Sequence, residues 1–198
     1  MIYLCRANLR RTSGNLTYFL ISVWTGPIST GDTKSYDSSL FKTLTEDKDI
    51  VITVRAKNDA HLGFFSESQE QLYEIVIGGW YNAKSVLRRV IPSVAEYKKT
   101  ATPNILNPNE DRPFWADVKN GLLRLGSGNI IGNDIILKWQ DNQPLDATYV
   151  GFMTGWGSSG IWKYKGMKDP TTSTATTTTA TTTTTTAGKY STLNFRHS

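Results

Sequence analysis

The feature that most constrains this chain is a succession of short apolar alternations, separated by Gly, Asn, Asp and Pro, that starts near Leu40. Alternation with period two puts successive side chains on opposite faces of a strand, and no segment carries a convincing 3.6-residue helical period. About nine strands are predicted, with a long loop after Pro92: Ile50–Arg55, Leu62–Phe65, Leu72–Ile77, Val86–Ile91, Phe114–Val118, Leu122–Leu125, Ile135–Trp139, Tyr149–Thr154 and Ile161–Tyr164. Many short strands with regular turns predict an all-β single domain, an antiparallel β-sandwich or jelly roll.

Two connections refine this prediction. The pair Asn120-Gly121 lies between two predicted strands, where Asn-Gly is a strong hairpin signal. The glycine-rich stretch from Gly126 to Gly132 superficially resembles a phosphate-binding loop, which requires a strand before it and a helix after it. Because Ile135–Trp139 is a predicted strand, we expect a hairpin connection there instead.

The charge distribution argues against a nucleic-acid partner. The chain has 22 Lys and Arg residues against 17 Asp and Glu, a formal net charge of +5. All acidic residues lie between Asp32 and Asp169, whereas five of the 22 basic residues lie outside this range, which leaves 17 of each sign within it. Nucleic-acid binders usually carry their basic excess on the folded domain, so we do not expect this class of function.

Residues 1–31 differ from the rest and predict a secretory signal peptide. Arginines near the start form a positive region, Leu16–Trp24 is an apolar run of nine residues, and small residues follow it. The run is shorter than the ~20 residues that a bilayer requires, so no stable membrane span is expected. Cleavage before Asp32 would give a secreted, extracellular protein and remove Cys5, the single cysteine. The alternatives are a β-strand that begins the fold and an untranslated extension wrongly joined to the gene.

Residues 171–198 are predicted to form a disordered tail. Of the 17 residues in 171–187, 13 are threonine, so no apolar face offsets the entropy lost on ordering. In a secreted protein such a tract is typical of an O-glycosylated stalk, and an unmodified linker is the alternative. The predicted organisation is therefore a signal peptide over 1–31, a β-sandwich domain over 32–170 and a threonine-rich tail over 171–198.

The sequence offers little catalytic or metal-binding chemistry. There are two histidines, and because His197 lies in the tail, a Ser-His-Asp triad would have to use His61. No nucleophile elbow and no paired-histidine metal spacing occur, so neither catalytic residues nor metal ligands are predicted. Asp59 and His61 lie two residues apart, on the same side of an extended chain. They could bind a small polar ligand or an ion, or form a loop pair that hydrogen-bonds to the backbone.

Two tryptophans lie beside glycine bends. Trp80 follows Gly78-Gly79, and Trp156 lies between two glycines, which allow positive φ or a close backbone approach. An indole with Asn and Lys nearby, as in Trp80 with Asn82 and Lys84, offers a carbohydrate a flat apolar face and hydrogen-bond donors. The alternative is that both tryptophans pack into the core of the sandwich.

Eight blocks, in order along most of the predicted domain, carry a family resemblance. They are Val54–His61, Tyr73–Trp80, Asn82–Arg89, Ile105–Asn107, Phe114-Trp115, Lys138–Asp141, Tyr149–Gly151 and Thr154–Gly157. Together they resemble the farnesoic acid O-methyltransferase-like domain. The chain departs from that pattern at Tyr81, where a small residue is common, in its single copy, where members often have two, and in its threonine tail.

The family name implies methyl transfer from S-adenosylmethionine to farnesoic acid, which gives methyl farnesoate. The residues do not show the parallel βαβ sheet and glycine-rich turn that such a methyltransferase usually has. The resemblance also implies a repeated or appended module of animal extracellular proteins, which suits binding better than catalysis.

We therefore predict a secreted, non-enzymatic module that binds a glycan or an extracellular protein and needs no cofactor. The alternatives are a methyltransferase that uses S-adenosylmethionine, and a structural protein of a matrix or mucus. The residues predicted to contact the ligand are Asn58, Asp59, His61, Trp80, Asn82, Lys84, Arg88 and Trp156.

Overall fold

The computed structural model describes residues 24–165 in full, together with the backbone of two earlier strands, β1 (Ala7–Thr12) and β2 (Asn15–Leu20). These two strands pair antiparallel as a hairpin, and they belong to a compact unit separate from the one that begins at Trp24. Cys5 and the threonine-rich tail, for which disorder is predicted, lie outside the described residues.

The second unit is a β-sandwich. Its strands are, in chain order, β3 (Trp24–Thr30), β4 (Lys42–Thr43), β5 (Asp49–Ala56), β6 (Ala60–Phe65), β7 (Gln71–Gly78), β8 (Lys84–Arg89), β9 (Ala95–Ala101), β10 (Arg112–Lys119), β11 (Leu122–Ser127), β12 (Ile135–Gln140), β13 (Tyr149–Thr154) and β14 (Gly160–Lys165). The first sheet has the order β12-β11-β10-β5-β14-β3 and the second β4-β13-β6-β7-β8-β9, with every pair of neighbouring strands antiparallel. The predicted all-β sandwich is therefore confirmed.

The core between the sheets follows from the alternation in the sequence. In β5 the side chains of Ile50, Ile52 and Val54 are buried, and the residues between them are partly exposed. Opposite them, the second sheet contributes apolar residues such as Leu62 and Ile75 to the same core. Burial of apolar area on this scale is the main favourable term in folding.

The second sheet is buried on its outer face as well, which the alternation alone does not predict. All six residues of β6 are buried, His61 among them. The segment before β4 covers this face, because the rings of Tyr36 and Phe41 lie 5.2 and 4.2 Å from the ring of Phe65. Gly63 permits this approach, since a Cβ there would lie 2.7 Å from the Tyr36 ring. Polar side chains on this face are therefore enclosed.

Helical structure in the described residues is limited to two short turns. A 3₁₀ turn covers Ser38–Leu40, where the carboxylate of Asp37 accepts a hydrogen bond from the backbone N–H of Ser39. A four-residue turn, α1 (Gly79–Asn82), connects β7 to β8. The expectation of no convincing helix agrees with this arrangement.

The nine predicted strands are all present, most with bounds extended by one or two residues. The prediction Val86–Ile91 is wrong at its end, because β8 runs from Lys84 to Arg89. The hairpin at Asn120-Gly121 is confirmed, and the stretch from Gly126 to Gly132 connects two antiparallel strands as predicted. The predicted loop after Pro92 is wrong in part, because β9 lies within it. Five of the seven residues of β9 are exposed, so this edge strand has no apolar alternation.

Strand β3 lies within the segment predicted as a signal peptide. It pairs with β14, with Ile28 opposite Trp162 and Thr30 opposite Gly160. In this structure, residues 24–30 therefore follow the alternative interpretation, a strand at the start of the fold. Cleavage before Asp32 stays a prediction, and it would remove this strand.

Candidate functional site

A pocket of about 480 Å³ opens beside the outer face of the second sheet. Its lining residues come from β6, β7, β8, the α1 turn and two loops, and they are Asp59, His61, Val76, Trp80, Tyr81, Arg88 and Trp156. The register of the sheet brings the strand residues together, because His61 lies opposite Val76 and Arg88 lies opposite Glu74. Five of the eight residues predicted from the sequence thus line one cavity.

The backbone around this pocket is strained. Asp59, Trp80, Tyr81 and Trp156 have φ values of 48°, 52°, 59° and 52°. A bulky L-residue in this left-handed region is uncommon, and each instance costs about 1–2 kcal/mol. Such strain tends to cluster at ligand-binding and active sites, where it fixes a side chain in a required position. Three aromatic residues in this strained region, all at one pocket, therefore make it the candidate functional site.

Glu74 is the centre of the buried polar network beneath the pocket. Its Oε1 accepts hydrogen bonds from Tyr36 Oη at 2.9 Å and from His61 Nδ1 at 3.1 Å, and its Oε2 accepts one from Arg88 Nη1 at 2.8 Å. Burial raises the pKa of Glu74, but the hydrogen bonds and charges of these partners outweigh burial and lower the pKa to about 2. The carboxylate is therefore ionised over the whole physiological range.

This network sets the state of His61. Since the ionised Glu74 accepts from Nδ1, that nitrogen carries a proton, and the opposite nitrogen, Nε2, is buried with no hydrogen-bond partner. Asp59 Oδ1 lies 3.9 Å from Nε2, beyond hydrogen-bond reach. Burial lowers the pKa of His61, but Asp59 and Glu74 together raise it above its ordinary value. The protonated, positively charged imidazole is therefore more favoured here than in a free histidine side chain.

Trp80 and Trp156, the two rim tryptophans, flank the pocket. They are 41% and 49% exposed, whereas Trp115 and Trp162 are fully buried in the core. The Trp156 indole stacks on the His61 ring with centroids 5.1 Å apart. Because these indoles are half exposed beside a cavity, the alternative that they pack the core does not hold.

Cations lie over the indole rings at the rim. Lys84 Nζ lies 3.6 Å from the centroid of the Trp80 ring, and the Arg88 guanidinium carbon lies 5.4 Å from it. Lys34 Nζ lies 5.7 Å from the Trp156 ring. These cation–π contacts hold the indoles in place and leave part of each ring exposed to a ligand.

Two of the residues predicted to contact the ligand, Asn58 and Asn82, do not line the pocket. Their side chains hydrogen-bond to neighbouring loops instead. Asn58 is buried, and its Nδ2 donates to Asp59 Oδ2 at 2.5 Å and to the Trp156 carbonyl at 3.3 Å. The Asn82 side chain donates to the Leu106 carbonyl at 2.9 Å and accepts from the Leu106 N–H at 3.1 Å. Asn58 therefore joins the loops that carry Asp59 and Trp156, and Asn82 anchors the α1 turn. Their prediction as ligand contacts is untested.

Sequence reasoning missed Tyr36, Glu74 and Tyr81. The one available signal was a charged residue, Glu74, within the apolar run Leu72–Ile77. A charge in a buried strand must be paired, which predicts partners such as Arg88 on the next strand. Tyr36 comes from a distant loop and carries no comparable signal, while Tyr81 was noted only as a departure from the family pattern.

The residues do not fit the adenosyl cofactor that the family name implies. The glycine-rich stretch joins β11 to β12 with no helix after it, and a Cβ added at Gly128 or Gly132 would meet nothing within 4 Å. A phosphate or nucleotide cradle would instead bring backbone close to its ligand. At the pocket, Arg88 is already bound to the carboxylates of Glu74 and Glu96. We therefore derive no methyl-transfer step.

The described residues show neither a metal-binding cluster nor a membrane-spanning helix. Within residues 24–165, no group of three or more His, Cys, Asp and Glu side chains is placed to hold a metal ion. In the part of the chain that the structure describes, neither helical turn has the length and hydropathy of a membrane-crossing helix.

Comparison with known proteins identifies a family. A family model for farnesoic acid O-methyl transferase matches residues 16–168, which is most of the chain. The match includes every residue that lines the pocket. No curated protein matches the sequence significantly.

Solved structures of similar architecture share little sequence with this chain. A β-1,3-1,4-glucanase (lichenase) from a mouse hindgut metagenome has a TM-score of 0.43 and 11% identity, with coverage of 80% of this chain and 82% of that one. Sheep galectin-11 in complex with glycerol has a TM-score of 0.43 and 8% identity, with 68% and 98% coverage. The CBM40 of a Ruminococcus gnavus IT-sialidase, bound to α2,3-sialyllactose, has a TM-score of 0.37 and 10% identity, with 70% and 90% coverage. TM-scores at this level do not bear on what this chain binds.

Proposed function

This chain belongs to the farnesoic acid O-methyltransferase family, and we propose that it is a binding module that takes a carbohydrate into the pocket between Trp80 and Trp156. The observation that carries the proposal is the pair of half-exposed rim tryptophans, both held at positive φ beside one cavity. Strained backbone at two tryptophans is expected where the strain holds their rings in position to face a ligand.

The pocket combines the two kinds of contact that a sugar requires. The exposed indole faces offer apolar area for the C–H face of a pyranose ring. Asp59 and His61 supply polar atoms at the base of the same cavity. Because the polar atoms are fixed by Asn58 and Glu74, they are organised before the ligand arrives, which lowers the entropy lost on binding.

Methyl transfer to farnesoic acid is the second candidate, and the family name is the observation in its favour. Farnesoic acid would bring a long apolar chain and a carboxylate. Aromatic rings and Val76 supply apolar lining, but the Arg88 guanidinium that could meet the carboxylate already binds Glu74 and Glu96 through its two Nη atoms. Incubation of the full chain with farnesoic acid and methyl-labelled S-adenosylmethionine decides the point, since labelled ester above the enzyme-free blank would establish the transferase.

Secretion is part of the proposal and rests on the sequence of residues 1–31. An extracellular module with a threonine-rich, O-glycosylated tail would meet glycans or glycoproteins in its surroundings. Expression of the full gene in insect cells, with sequencing of the N-terminus of the protein in the medium, tests secretion and gives the cleavage site. A product that stays in the cells would contradict it.

A glycan array probed with the full chain tests the central proposal. We expect binding to a defined subset of glycans, and loss of that binding in the double variant W80A/W156A. A parallel pull-down from extracellular extract covers the protein-ligand alternative. No glycan signal together with a specific protein partner would overturn the carbohydrate proposal in favour of that alternative.

A further inference from the structure

Resting on the proposed function, we infer that the polar pair Asp59–His61 selects a neutral hydroxyl group, so that the ligand is an uncharged sugar and not a uronic or sialic acid. The inference starts from one atom of each of two pocket-lining residues: His61 Nε2 and Asp59 Oδ1 lie 3.9 Å apart, too far for a hydrogen bond to each other. His61 Nε2 is buried and has no hydrogen-bond partner.

Each of these atoms is fixed by a contact on its far side. The His61 side chain is only 2% exposed, and its other nitrogen donates to Glu74, so the ring cannot turn without breaking that bond. The other oxygen of Asp59 accepts from Asn58 Nδ2. An unpartnered nitrogen on a buried ring is costly unless a ligand or a water completes it.

A hydroxyl group can form a hydrogen bond with each atom of this pair. It accepts one hydrogen bond from the protonated Nε2 and donates its own proton to Asp59 Oδ1. A ligand carboxylate has no proton to donate at neutral pH and would meet the negative charges of Asp59 and Glu74. The nearby Arg88 guanidinium is held by Glu74 and Glu96 through its two Nη atoms, and its Nε is buried with no hydrogen-bond partner.

A cationic ligand is disfavoured by the charges at the rim. Lys84, Arg88 and Lys34 lie 3.6 to 5.7 Å from the centroids of the two indole rings, and their positive charges would repel an ammonium group. An ammonium could donate to Asp59 but has no lone pair for the protonated Nε2. A neutral group that both donates and accepts therefore fits the site best.

The same geometry makes binding depend on pH. The charged groups that face the His61 ring are Asp59 and Glu74, with Tyr36 and Arg88 bound to Glu74 behind it. When His61 loses its charge, Nε2 and Asp59 become two acceptors that compete for the one proton of the ligand hydroxyl. One hydrogen bond to a charged group is then lost, and affinity should fall about tenfold or more as pH rises through the pKa of His61.

The test uses matched glycosides on the full chain. Saturation-transfer NMR would be recorded with methyl glucoside, galactoside, mannoside and N-acetylglucosaminide, and with the methyl glycosides of glucuronic, galacturonic and sialic acids. Each would be measured at about pH 5.5 and about pH 8, on either side of the ordinary histidine pKa. We expect binding of at least one neutral glycoside, no stronger binding by its acidic counterpart, and weaker binding at the higher pH.

Asp59→Asn is the diagnostic variant, because Asn tolerates positive φ and removes the charge alone. It should weaken the neutral glycoside about tenfold, abolish discrimination against the uronate and lower the pKa of His61 measured by NMR. The control Asp111→Asn lies on the other sheet and should change none of these values. Preferred binding of an acidic sugar overturns this inference and leaves the proposed function intact. Binding of no sugar at either pH overturns both.

Discussion

The imidazole of His61 stacks on the indole of Trp156, with ring centroids 5.1 Å apart and ring planes 14° from parallel. His61 belongs to the buried polar network around Glu74, and Trp156 is a half-exposed ring beside the pocket. The stacking contact therefore connects the network to the pocket rim. A change in the charge of the imidazole is therefore felt directly by the indole that we propose contacts the ligand. The predictions below test the two sides of this contact separately.

Removal of one rim indole should weaken sugar binding without unfolding the protein. We expect Trp156→Ala or Trp80→Ala to lower affinity about tenfold or more, because each removes a half-exposed ring beside the cavity. Calorimetry with a glycan selected on the array gives the affinity. Tyr97→Ala is the control, since this 47% exposed ring stacks on Trp139, which does not line the pocket. Equal loss of binding in Tyr97→Ala would mean that the ligand binds elsewhere.

Glu74 should be the most sensitive polar position of the domain. Glu74→Gln leaves Arg88 and the imidazole partly buried without their counter-charge, so we expect the free energy of unfolding to fall by about 3–5 kcal/mol. Glu96→Gln also removes a partner of Arg88, but at a more exposed position, and should cost less than about 1 kcal/mol. Urea unfolding measures both. Similar losses for the two variants would refute the role of Glu74 as the centre of the network.

Stability should depend on pH through both Glu74 and His61. Because the folded pKa of Glu74 is lowered from 4.5 to about 2, its contribution is present above pH 4.5 and is lost as pH falls towards 2. The pKa of His61 is raised, so its contribution is present at low pH and is lost as pH rises through the folded pKa. Urea unfolding midpoints over a pH series should fall at low pH, through Glu74, and again as pH rises through the folded pKa of His61. In His61→Gln the fall at higher pH should be smaller. An unchanged fall at higher pH in that variant would contradict the assignment.

Asn82 should hold the α1 turn that carries Trp80. The residue has φ of 63° and makes two side-chain hydrogen bonds to the backbone of Leu106. Asn82→Gly keeps the backbone freedom and loses the hydrogen bonds, and we expect a loss of about 1–2 kcal/mol in unfolding free energy. Asn82→Ala adds backbone strain and should lose about 1 kcal/mol more. A thermal or urea unfolding series ranks the two, and the reverse order would show that φ is not the constraint.

The sequence predicts the sandwich well because alternation and turn residues are local signals. The strand at Ile50–Arg55 and the hairpin at Asn120-Gly121 need no knowledge of distant contacts. The edge strand Ala95–Ala101 was missed because exposure removes the alternation on which such a prediction depends. The strand β3 was missed because Trp24–Thr30 is mostly small and polar, which is also the composition expected around the cleavage site of a signal peptide.

The site was predicted in part for a related reason. Asp59, His61 and the two rim tryptophans stand out through residue type and flanking glycines. The role of Glu74 and Tyr36 depends on sheet register and on a loop that folds over the outer face, and neither is encoded in the spacing of residues along the chain. Asn58 and Asn82 were predicted as ligand contacts, and in the structure both bind backbone.

The most direct test of the carbohydrate site is an NMR titration of the full chain with ¹⁵N-labelled indole groups. The glycan selected on the array serves as the titrant. We predict that the indole N–H signals of Trp80 and Trp156 shift with one common dissociation constant, while those of the buried Trp115 and Trp162 stay in place. Shifts confined to other tryptophans, or no shift at saturating glycan, would contradict the account.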